Sequence, residues 1–193
     1  MTSLPPLWGL VLAGGHSARM GQDKGTLALH GASQREFAAK LLARHCARVF
    51  VSCRSEQTAD LEPGLQPLVD TYANIGPVGG IASALVQNPA AAWLVVACDL
   101  PDLNDDLLVG LTGQRAAERA AVAFRDQTTG RLEPLIAIWE PQMLPFVHGA
   151  IDAWRLSPRA ILETAWCHVV PSPVSFTNLN TPADLDEWRT THG

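Results

Sequence analysis

Short apolar runs alternate along this chain with segments whose apolar residues recur at helical spacing. Four such runs lie in the first hundred residues, at positions 8–13, 49–53, 66–69 and 93–98. A strand that is covered on both faces is apolar at successive positions rather than at alternate ones, and such strands are typical of parallel sheets. The pattern therefore predicts a three-layer, Rossmann-like α/β fold, in which helices cover both faces of a mainly parallel sheet.

Helix start signals separate the predicted strands. Ser33 followed by Glu36 is a capping-box pattern and predicts a helix from about residue 34 to residue 46. The segment 76–80 is predicted to be a glycine loop that opens the next helix. The second half is less regular. It predicts a helix after residues 102–106, strands at 121–124 and 132–139, and helices that begin at Pro141, Ser157 and Thr181.

Length and composition indicate one folded domain over residues 1–193. A chain of 193 residues is typical of a single domain, and no repeat or linker divides the sequence. Hydrophobic residues make up 47% and charged residues 17%, which excludes a disordered chain. The 14 basic and 19 acidic residues give a net charge of −5, so we expect neither nucleic acid nor a membrane as a partner.

The cysteines and the amino terminus indicate the cellular compartment of the protein. Cys46, Cys53, Cys98 and Cys167 form no C-x-x-C pair, which favours buried thiols in a reducing compartment over a disulfide framework or a zinc site. The first residues lack the basic start and apolar stretch of a signal peptide, and the longest apolar run, 90–98, is too short to span a bilayer. We expect a cytoplasmic protein.

The segment that follows the first predicted strand is a candidate phosphate-binding loop. Residues 14–24 read GGHSARMGQDK and combine glycines with two cations, Arg19 and Lys24. Glycine-rich backbone N–H groups and fixed positive charges are what a polyphosphate needs. The spacing is neither G-x-G-x-x-G nor G-x-x-x-x-G-K-[ST], which argues against a dinucleotide dehydrogenase and a P-loop enzyme. A solvated loop lysine is the alternative for Lys24.

Asp99 directly follows the most apolar of the predicted strands. A carboxylate in this position lies at the sheet edge where α/β proteins bind ligands. Its oxygens suit a hard divalent cation that also contacts phosphate. The alternative is an N-cap for the following helix, but Asp102 and Asn104 are better placed for capping.

The phosphate-loop candidate belongs to a longer string that resembles a family signature. Leu12-Ala13-Gly14-Gly15-x-Ser17-x-Arg19-Met20-Gly21-x-Asp23-Lys24 is similar to the signature of the molybdenum cofactor guanylyltransferases, in the nucleotidyltransferase superfamily. Three later stretches are similar in the same order: Asp70 with Gly76-Pro77-x-Gly79-Gly80-Ile81, then Cys98-Asp99-x-Pro101, then Asn178-x-Asn180-Thr181-Pro182. The resemblance covers almost the whole chain.

The resemblance implies a reaction and its ligands. The enzyme would transfer GMP from GTP to the terminal phosphate of molybdopterin, with Mg²⁺ as the cofactor and pyrophosphate as the leaving group. Residues up to about 100 would bind the nucleotide, and residues from about 101 to 193 would bind the acceptor. Transient contact with proteins that insert the molybdenum cofactor is a further implication.

The resemblance also assigns roles to individual residues. Leu12, Ala13 and Gly14 would line the base and ribose, while Gly15, Arg19 and Lys24 would contact the triphosphate. Asp70 would lie near the nucleotide, and Gly79 and Gly80 on a loop on the base side. Asp99 would bind Mg²⁺, and Asn180 would either complete the metal site or serve as a turn residue. Arg19, Lys24 and Asp99 are thus the expected catalytic residues.

Three questions stay open at this point. Ala13-Gly14-Gly15 favours GTP, because relatives that use CTP tend to have Ala-Ala-Gly here; a sister enzyme that uses CTP or another phosphorylated acceptor is the alternative. A nucleotide-binding regulator without catalysis is an alternative of another class. The third question is the acceptor site, for which the candidate polar residues, each with a solvated surface charge as the alternative, are Arg131, Glu133, Arg155 and Arg159.

Overall fold

The computed structural model describes residues 3–13, 31–72, 74–176, 179, 183, 184, 186, 188 and 190. Within these residues the strands are β1 Leu7–Leu12, β2 Val49–Cys53, β3 Pro67–Val69, β4 Ala92–Ala97, β5 Ala121–Arg125, β6 Leu132–Trp139 and β7 Cys167–Pro171. The α-helices are α1 Gln34–Leu42, α2 Pro77–Gln87, α3 Asp105–Thr112, α4 Leu144–Asp152 and α5 Pro158–Thr164. Short 3-10 turns cover Ser55–Asp60 and Pro141–Met143.

The described strands form one sheet in the order β3-β2-β1-β4-β6-β5-β7. Neighbouring strands are parallel except where β6 pairs with β4 and with β5. The prediction of a mainly parallel sheet is therefore confirmed. In the register of the sheet Leu12 lies opposite Ser52 on one side and opposite Ala97 on the other, so β1, β2 and β4 end at the same edge.

Helices cover both faces of the sheet and complete the three layers. Side chains of successive strand residues point to opposite faces, so Trp93 and Val95 of β4 join one apolar core and Leu94 and Val96 the other. Helices α2, α4 and α5 close the first core, and α1 and α3 close the second. Because both faces are covered, these strands are apolar at successive positions, which is the pattern that predicted them.

Several predicted strand ends differ from the structure by one residue, and three larger differences occur. Helix α1 ends at Leu42 rather than near residue 46, although its predicted start is confirmed by Ser33 Oγ, which accepts a hydrogen bond from Glu36 N at 3.2 Å. The helix predicted at Pro141 begins as a 3-10 turn. Strand β7 escaped the sequence analysis because an edge strand that is only half-buried has no continuous apolar run.

The prediction of buried, unpaired thiols is confirmed in part. All four cysteines are free, and Cys53 and Cys98 are buried, but Cys46 and Cys167 are only half-buried. Desolvation nevertheless raises the pKa of Cys46 to about 12 and that of Cys167 to about 11. In the part of the chain that the structure describes, no helix has the length and apolar character needed to cross a bilayer.

A buried ion pair links the start of the chain to the end of β6. Arg115 Nε donates to Glu140 Oε1 at 2.7 Å and Arg115 Nη2 donates to Glu140 Oε2 at 3.0 Å. The same Nη2 atom also donates to Pro5 O at 3.0 Å, just before β1. Both side chains are almost inaccessible to solvent, so this two-point contact fixes the sheet at the edge opposite the strand ends described above.

Candidate active site

Predicted nucleotide residues meet at one edge of the sheet, where β1, β2, β3 and β4 end. Leu12 is the last residue of β1, and the buried Ala13 donates from its N–H to Ser52 O at 3.3 Å. Asp70 follows β3 directly, and its N–H donates to Cys53 O at 3.0 Å. Asp99 lies two residues beyond β4. The structure thus brings Leu12, Ala13, Asp70 and Asp99 to the edge where ligands bind in folds of this class.

A buried hydroxyl orients the carboxylate of Asp70. Ser52 Oγ, at the end of β2, donates to Asp70 Oδ1 at 2.7 Å. Burial raises the pKa of Asp70, and both this hydrogen bond and the charge of Arg54 act against that rise. Ser52 was not predicted from the sequence as a positioning residue. The signal that could have identified it is that it is a small polar residue in an otherwise apolar strand.

The expectation that Gly79 and Gly80 form a loop on the base side is wrong. Both residues lie inside α2, which begins at Pro77. A methyl group on Gly80 would lie 2.5 Å from Ser52 Oγ and 2.7 Å from Leu12 Cδ2, and one on Gly79 would collide with the carbonyl oxygen of Tyr72. The missing side chains let α2 pack directly against the strand ends, so these glycines shape the site through close packing.

The true turn residue of this stretch is Gly76. It is the N-cap of α2 and has φ 67° and ψ −153°, a backbone conformation that is essentially restricted to glycine. Between Asp70 and this turn, Thr71 is fixed to α2: its N–H donates to Ser83 Oγ at 2.9 Å, and the Ser83 hydroxyl donates to Gly79 O at 2.8 Å. Asp70 therefore stands at the start of a segment that α2 holds rigidly.

Asp99 lies at the end of β4 and is partly exposed. The N-cap of α3 is Asn104, whose Oδ1 accepts from Leu107 N at 3.1 Å, so the capping alternative for Asp99 is excluded. The carbonyl oxygen of Asp99 accepts a hydrogen bond from Leu179 N at 2.9 Å. This contact places Leu179 at the end of β4.

Five of the predicted site residues lie outside the described residues: Gly14, Gly15, Arg19, Lys24 and Asn180. Their roles stay predictions. The structure does describe the residue that precedes the predicted phosphate loop, Ala13, and the residue that precedes Asn180, Leu179.

Glu133 and Arg159 are the acceptor-site candidates that the structure places near Asp99. The β4–β6 pairing ends at Val96 opposite Ile136, and beyond it the charges of Asp99 and Glu133 are close enough to interact. Arg159, on α5, donates from Nε to Leu132 O at 2.7 Å. The other two candidates, Arg131 and Arg155, are exposed.

The surroundings of Glu133 disfavour its ionised form. Its side chain is buried, and Oε1 accepts a hydrogen bond from Leu135 N at 3.0 Å. Burial, above all, raises the pKa of Glu133; the Leu135 hydrogen bond and Arg159 act against this rise, while the charges of Asp99 and Asp126 add to it.

Known proteins of one family are similar to this chain over most of its length. A model of the MobA-like NTP transferase domain matches residues 9–166, which span β1 to the end of α5. The chain belongs to the MobA-like NTP transferase family. It is 33% identical over 193 residues to a molybdenum cofactor guanylyltransferase of Xanthomonas euvesicatoria pv. vesicatoria, over 97% of this chain and 95% of that protein. The resemblance seen in the sequence is therefore confirmed.

Two further relatives define the extent of the likeness. The chain is 34% identical over 189 residues to a molybdenum cofactor biosynthesis bifunctional protein of Synechocystis sp.; the match covers 96% of this chain but only 54% of that protein. The fold is shared with molybdopterin-guanine dinucleotide biosynthesis protein A of Archaeoglobus fulgidus, with a TM-score of 0.78 and 22% identity over 96% of this chain and 98% of that one. MobA-like NTP transferases are nucleotidyltransferases, so the predicted enzyme class holds.

This MobA-like NTP transferase also contains the Asp126 clamp, a set of hydrogen bonds that Asp126 accepts from Thr128, Thr129 and Phe176 and that was not predicted from the sequence. Asp126, just after β5, accepts hydrogen bonds at Oδ1 from Thr128 N at 2.9 Å and Thr129 N at 2.7 Å, and at Oδ2 from Phe176 N at 3.2 Å. These hydrogen bonds lower the pKa of Asp126, and the bond from Thr129 N has the largest effect. The clamp fixes Phe176 to the end of β5.

Proposed function

We propose that this chain transfers the guanylyl group of GTP to the terminal phosphate of molybdopterin, forming molybdopterin guanine dinucleotide. The observation that carries the proposal is the convergence of Leu12, Asp70 and Asp99 on one sheet edge; Leu12 is also the first residue of the family signature. The guanylyltransferase of Xanthomonas, which matches over nearly its full length, supports the choice of nucleotide and acceptor.

The proposed chemistry is an in-line displacement at phosphorus. A terminal phosphate oxygen of molybdopterin attacks the α-phosphorus of GTP; the new P–O bond forms as the bond to the β-phosphate oxygen breaks, and pyrophosphate leaves. Such a transfer asks the protein mainly to position the reactants and to neutralise charge, so it needs no nucleophilic side chain. In this proposal Arg19 and Lys24 neutralise the triphosphate, and Asp70 holds the nucleotide from the β3 side.

Asp99 is the residue we propose as the ligand of Mg²⁺. It offers hard carboxylate oxygens on a partly exposed side chain at the sheet edge, which is the donor chemistry that Mg²⁺ prefers. In the described ranges no three His, Cys, Asp or Glu side chains come close enough together to hold a metal ion. Substrate phosphates, and Asn180 in our proposal, would complete the coordination. When bound, Mg²⁺ would neutralise charge on the phosphate oxygens.

Arg159 is the residue we propose for the acceptor phosphate. Its hydrogen bond from Nε to Leu132 O fixes the guanidinium and leaves both terminal nitrogen atoms as possible donors to an anion. The cytoplasm is the proposed place of the reaction, in keeping with four free cysteines. Delivery of the product to proteins that insert the cofactor is part of the same proposal.

A pyrophosphate-release assay tests the proposed function. Purified protein is incubated with Mg²⁺, molybdenum-loaded molybdopterin and each of the four nucleoside triphosphates in turn. We expect release with GTP that depends on both the metal and the acceptor. A preference for CTP would overturn the choice of guanine, and GTP binding without any release would identify a regulator rather than an enzyme.

A further inference from the structure

Glu133 is a buried carboxylate whose hydrogen-bonding capacity is only half used. It is 9% exposed, and Oε1 accepts from Leu135 N. Its other oxygen, Oε2, has no hydrogen-bond donor in the part of the chain that the structure describes. The fully buried side-chain atoms without a partner in that part are Gln34 Nε2, Trp93 Nε1 and Trp139 Nε1. The 9% of Glu133 that is exposed is the surface from which a donor can approach.

The interactions of Glu133 with its neighbours do not explain its presence as a residue that stabilises the fold. Asp99 and Asp126 are like charges that act against its ionised form, and Arg159 is the cation that acts in its favour. Arg159, however, makes its hydrogen bond to the neighbouring carbonyl of Leu132 rather than to Glu133. A carboxylate that is buried and accepts a hydrogen bond through only one oxygen costs the folded protein free energy, which is typical of a residue kept for a ligand.

The position of Glu133 indicates which ligand that is. The residue lies at the start of β6, on the far side of Asp99 from β1, β2 and β3. Asp70 and Leu12 occupy the nucleotide side of Asp99, whereas Glu133 and Arg159 occupy the opposite side. A molecule bound against Glu133 would therefore lie on the side of Asp99 that is away from the nucleotide, which is the side from which the acceptor must approach.

We propose that Oε2 of Glu133 accepts hydrogen bonds from the ring N–H and 2-amino group of the pterin in the acceptor, and so selects that acceptor. This inference rests on the proposed function and names the residue that reads the acceptor. An ionised carboxylate only accepts hydrogen bonds, and the 2-amino-4-oxo edge of a pterin presents two adjacent N–H donors. A site that is built to pair with donors rejects analogues that lack them, because the buried carboxylate is then left unpaired.

Glu133→Gln is the variant that tests the proposal. Glutamine keeps the volume and can still accept from Leu135 N through its carbonyl oxygen, but it then presents an amide donor where Oε2 was. Two donors would face each other when a pterin binds. We expect the KM for molybdopterin to rise by about tenfold or more while the KM for GTP stays within about twofold of wild type. Glu118→Gln, at an exposed position, is the matched control and is expected to change neither.

Direct binding separates recognition from turnover. The probes are 6-hydroxymethylpterin and its lumazine counterpart, in which a 2-oxo acceptor replaces the 2-amino donor; ring fluorescence reports binding. Wild type is expected to bind the pterin about tenfold or more tightly than the lumazine, and Glu133→Gln to lose this preference. Equal discrimination by wild type and variant would overturn the proposal.

The same variants distinguish the other outcomes. If Glu133 were purely structural, Glu133→Gln would lower the melting temperature and raise both KM values; we expect an unchanged or higher melting temperature, because a buried negative charge is removed. If wild type transferred GMP to molybdopterin and Glu133→Gln did so with an unchanged KM, this inference would fail while the proposed function stood. If wild type bound the pterin with the expected selectivity but released no pyrophosphate, the proposed function would fail alone.

Discussion

The Ser52 hydroxyl, buried at the end of β2, donates a 2.7 Å hydrogen bond to Asp70 Oδ1, just beyond β3. Two neighbouring strand ends are thus joined through side chains at the edge where the nucleotide is proposed to bind. Because the bond favours the ionised carboxylate, it acts against the rise that burial causes in the pKa of Asp70.

Removal of this bond is expected to weaken nucleotide binding. In Ser52→Ala the carboxylate of Asp70 loses its donor, so its pKa rises further and its orientation is no longer fixed. We expect the KM for GTP to rise by roughly fivefold to tenfold, which corresponds to about 1 kcal/mol, with a smaller effect on the KM for the acceptor. Steady-state kinetics with each substrate varied in turn measure both. Equal effects on both substrates would contradict a role on the nucleotide side.

The close contact of Gly80 with β1 and β2 predicts a position-specific effect of alanine. In Gly80→Ala the new methyl group would meet Ser52 Oγ and Leu12 Cδ2, so we expect a loss of roughly 1–3 kcal/mol in the free energy of unfolding and a higher KM for GTP. The control is Gly149→Ala in α4, where a methyl group meets nothing within 4 Å. There alanine is expected to stabilise the helix by up to about 1 kcal/mol. Urea denaturation of both variants gives the comparison, and equal effects would refute the packing argument.

The proposed phosphate and metal residues predict loss of turnover without loss of fold. Lys24→Ala and Asp99→Ala are each expected to lower the rate of pyrophosphate release on the order of a hundredfold or more, because the first removes a cation that faces the phosphates and the second removes the proposed ligand of Mg²⁺. Lys40, the other lysine of the chain, is exposed and pairs with Glu36, so Lys40→Ala is the control and should retain activity. Circular dichroism checks that each variant is folded. Turnover within a few-fold of wild type for either site variant would remove that residue from the mechanism.

The ion pair of Arg115 and Glu140 predicts the opposite outcome, a loss of stability. Glu140→Gln leaves a buried guanidinium without its counter-charge, which costs roughly 3–5 kcal/mol in comparable pairs. Because the pair lies at the edge opposite the site, we expect the kinetic constants of the folded enzyme to change little. The exposed pair of Lys40 and Glu36 is expected to contribute no more than about 0.5 kcal/mol. Chemical denaturation compares the two, and similar losses would contradict this difference.

The Asp126 clamp predicts a dependence of stability on acid. Its pKa is lowered in the folded state, so its contribution is present above the pKa of the unfolded chain, about 4 for an aspartate, and is lost as the pH falls through the folded value. Asp126→Asn is therefore expected to be less stable than wild type at neutral pH, with a difference that narrows in acid. Urea titrations between roughly pH 7 and pH 3 measure the difference. A constant difference would show that the charge of Asp126 is not involved.

The sequence predicted most of the fold because most strands are buried on both faces. Residues 93–98 show this well: the run is apolar at every position, and β4 is buried throughout. The same logic placed Asp99 at the ligand edge. It failed for β7, a half-buried edge strand, and for Gly79 and Gly80, which look like loop residues in a sequence but serve close packing inside a helix.

The parts of the site that could not be predicted depend on contacts between distant residues. Ser52 and Asp70 are 18 positions apart, and Asp126 and Phe176 are 50 apart. Nothing in the local pattern pairs them, because a hydrogen bond across two strand ends leaves no periodic signal. Glu133 was identified as an acceptor candidate by its residue type alone; its burial and its charge interaction with Asp99 depend on the folded structure.

The reversed direction of β6 has a consequence for the acceptor side. Its neighbours β4 and β5 finish at the reactive edge, whereas β6 starts there, so the hairpin of residues 126–131 enters the site from the outside. In the proposed function, changes of length or sequence in that hairpin would act on the acceptor side of Asp99, whereas β1, β2 and β3 form the nucleotide side.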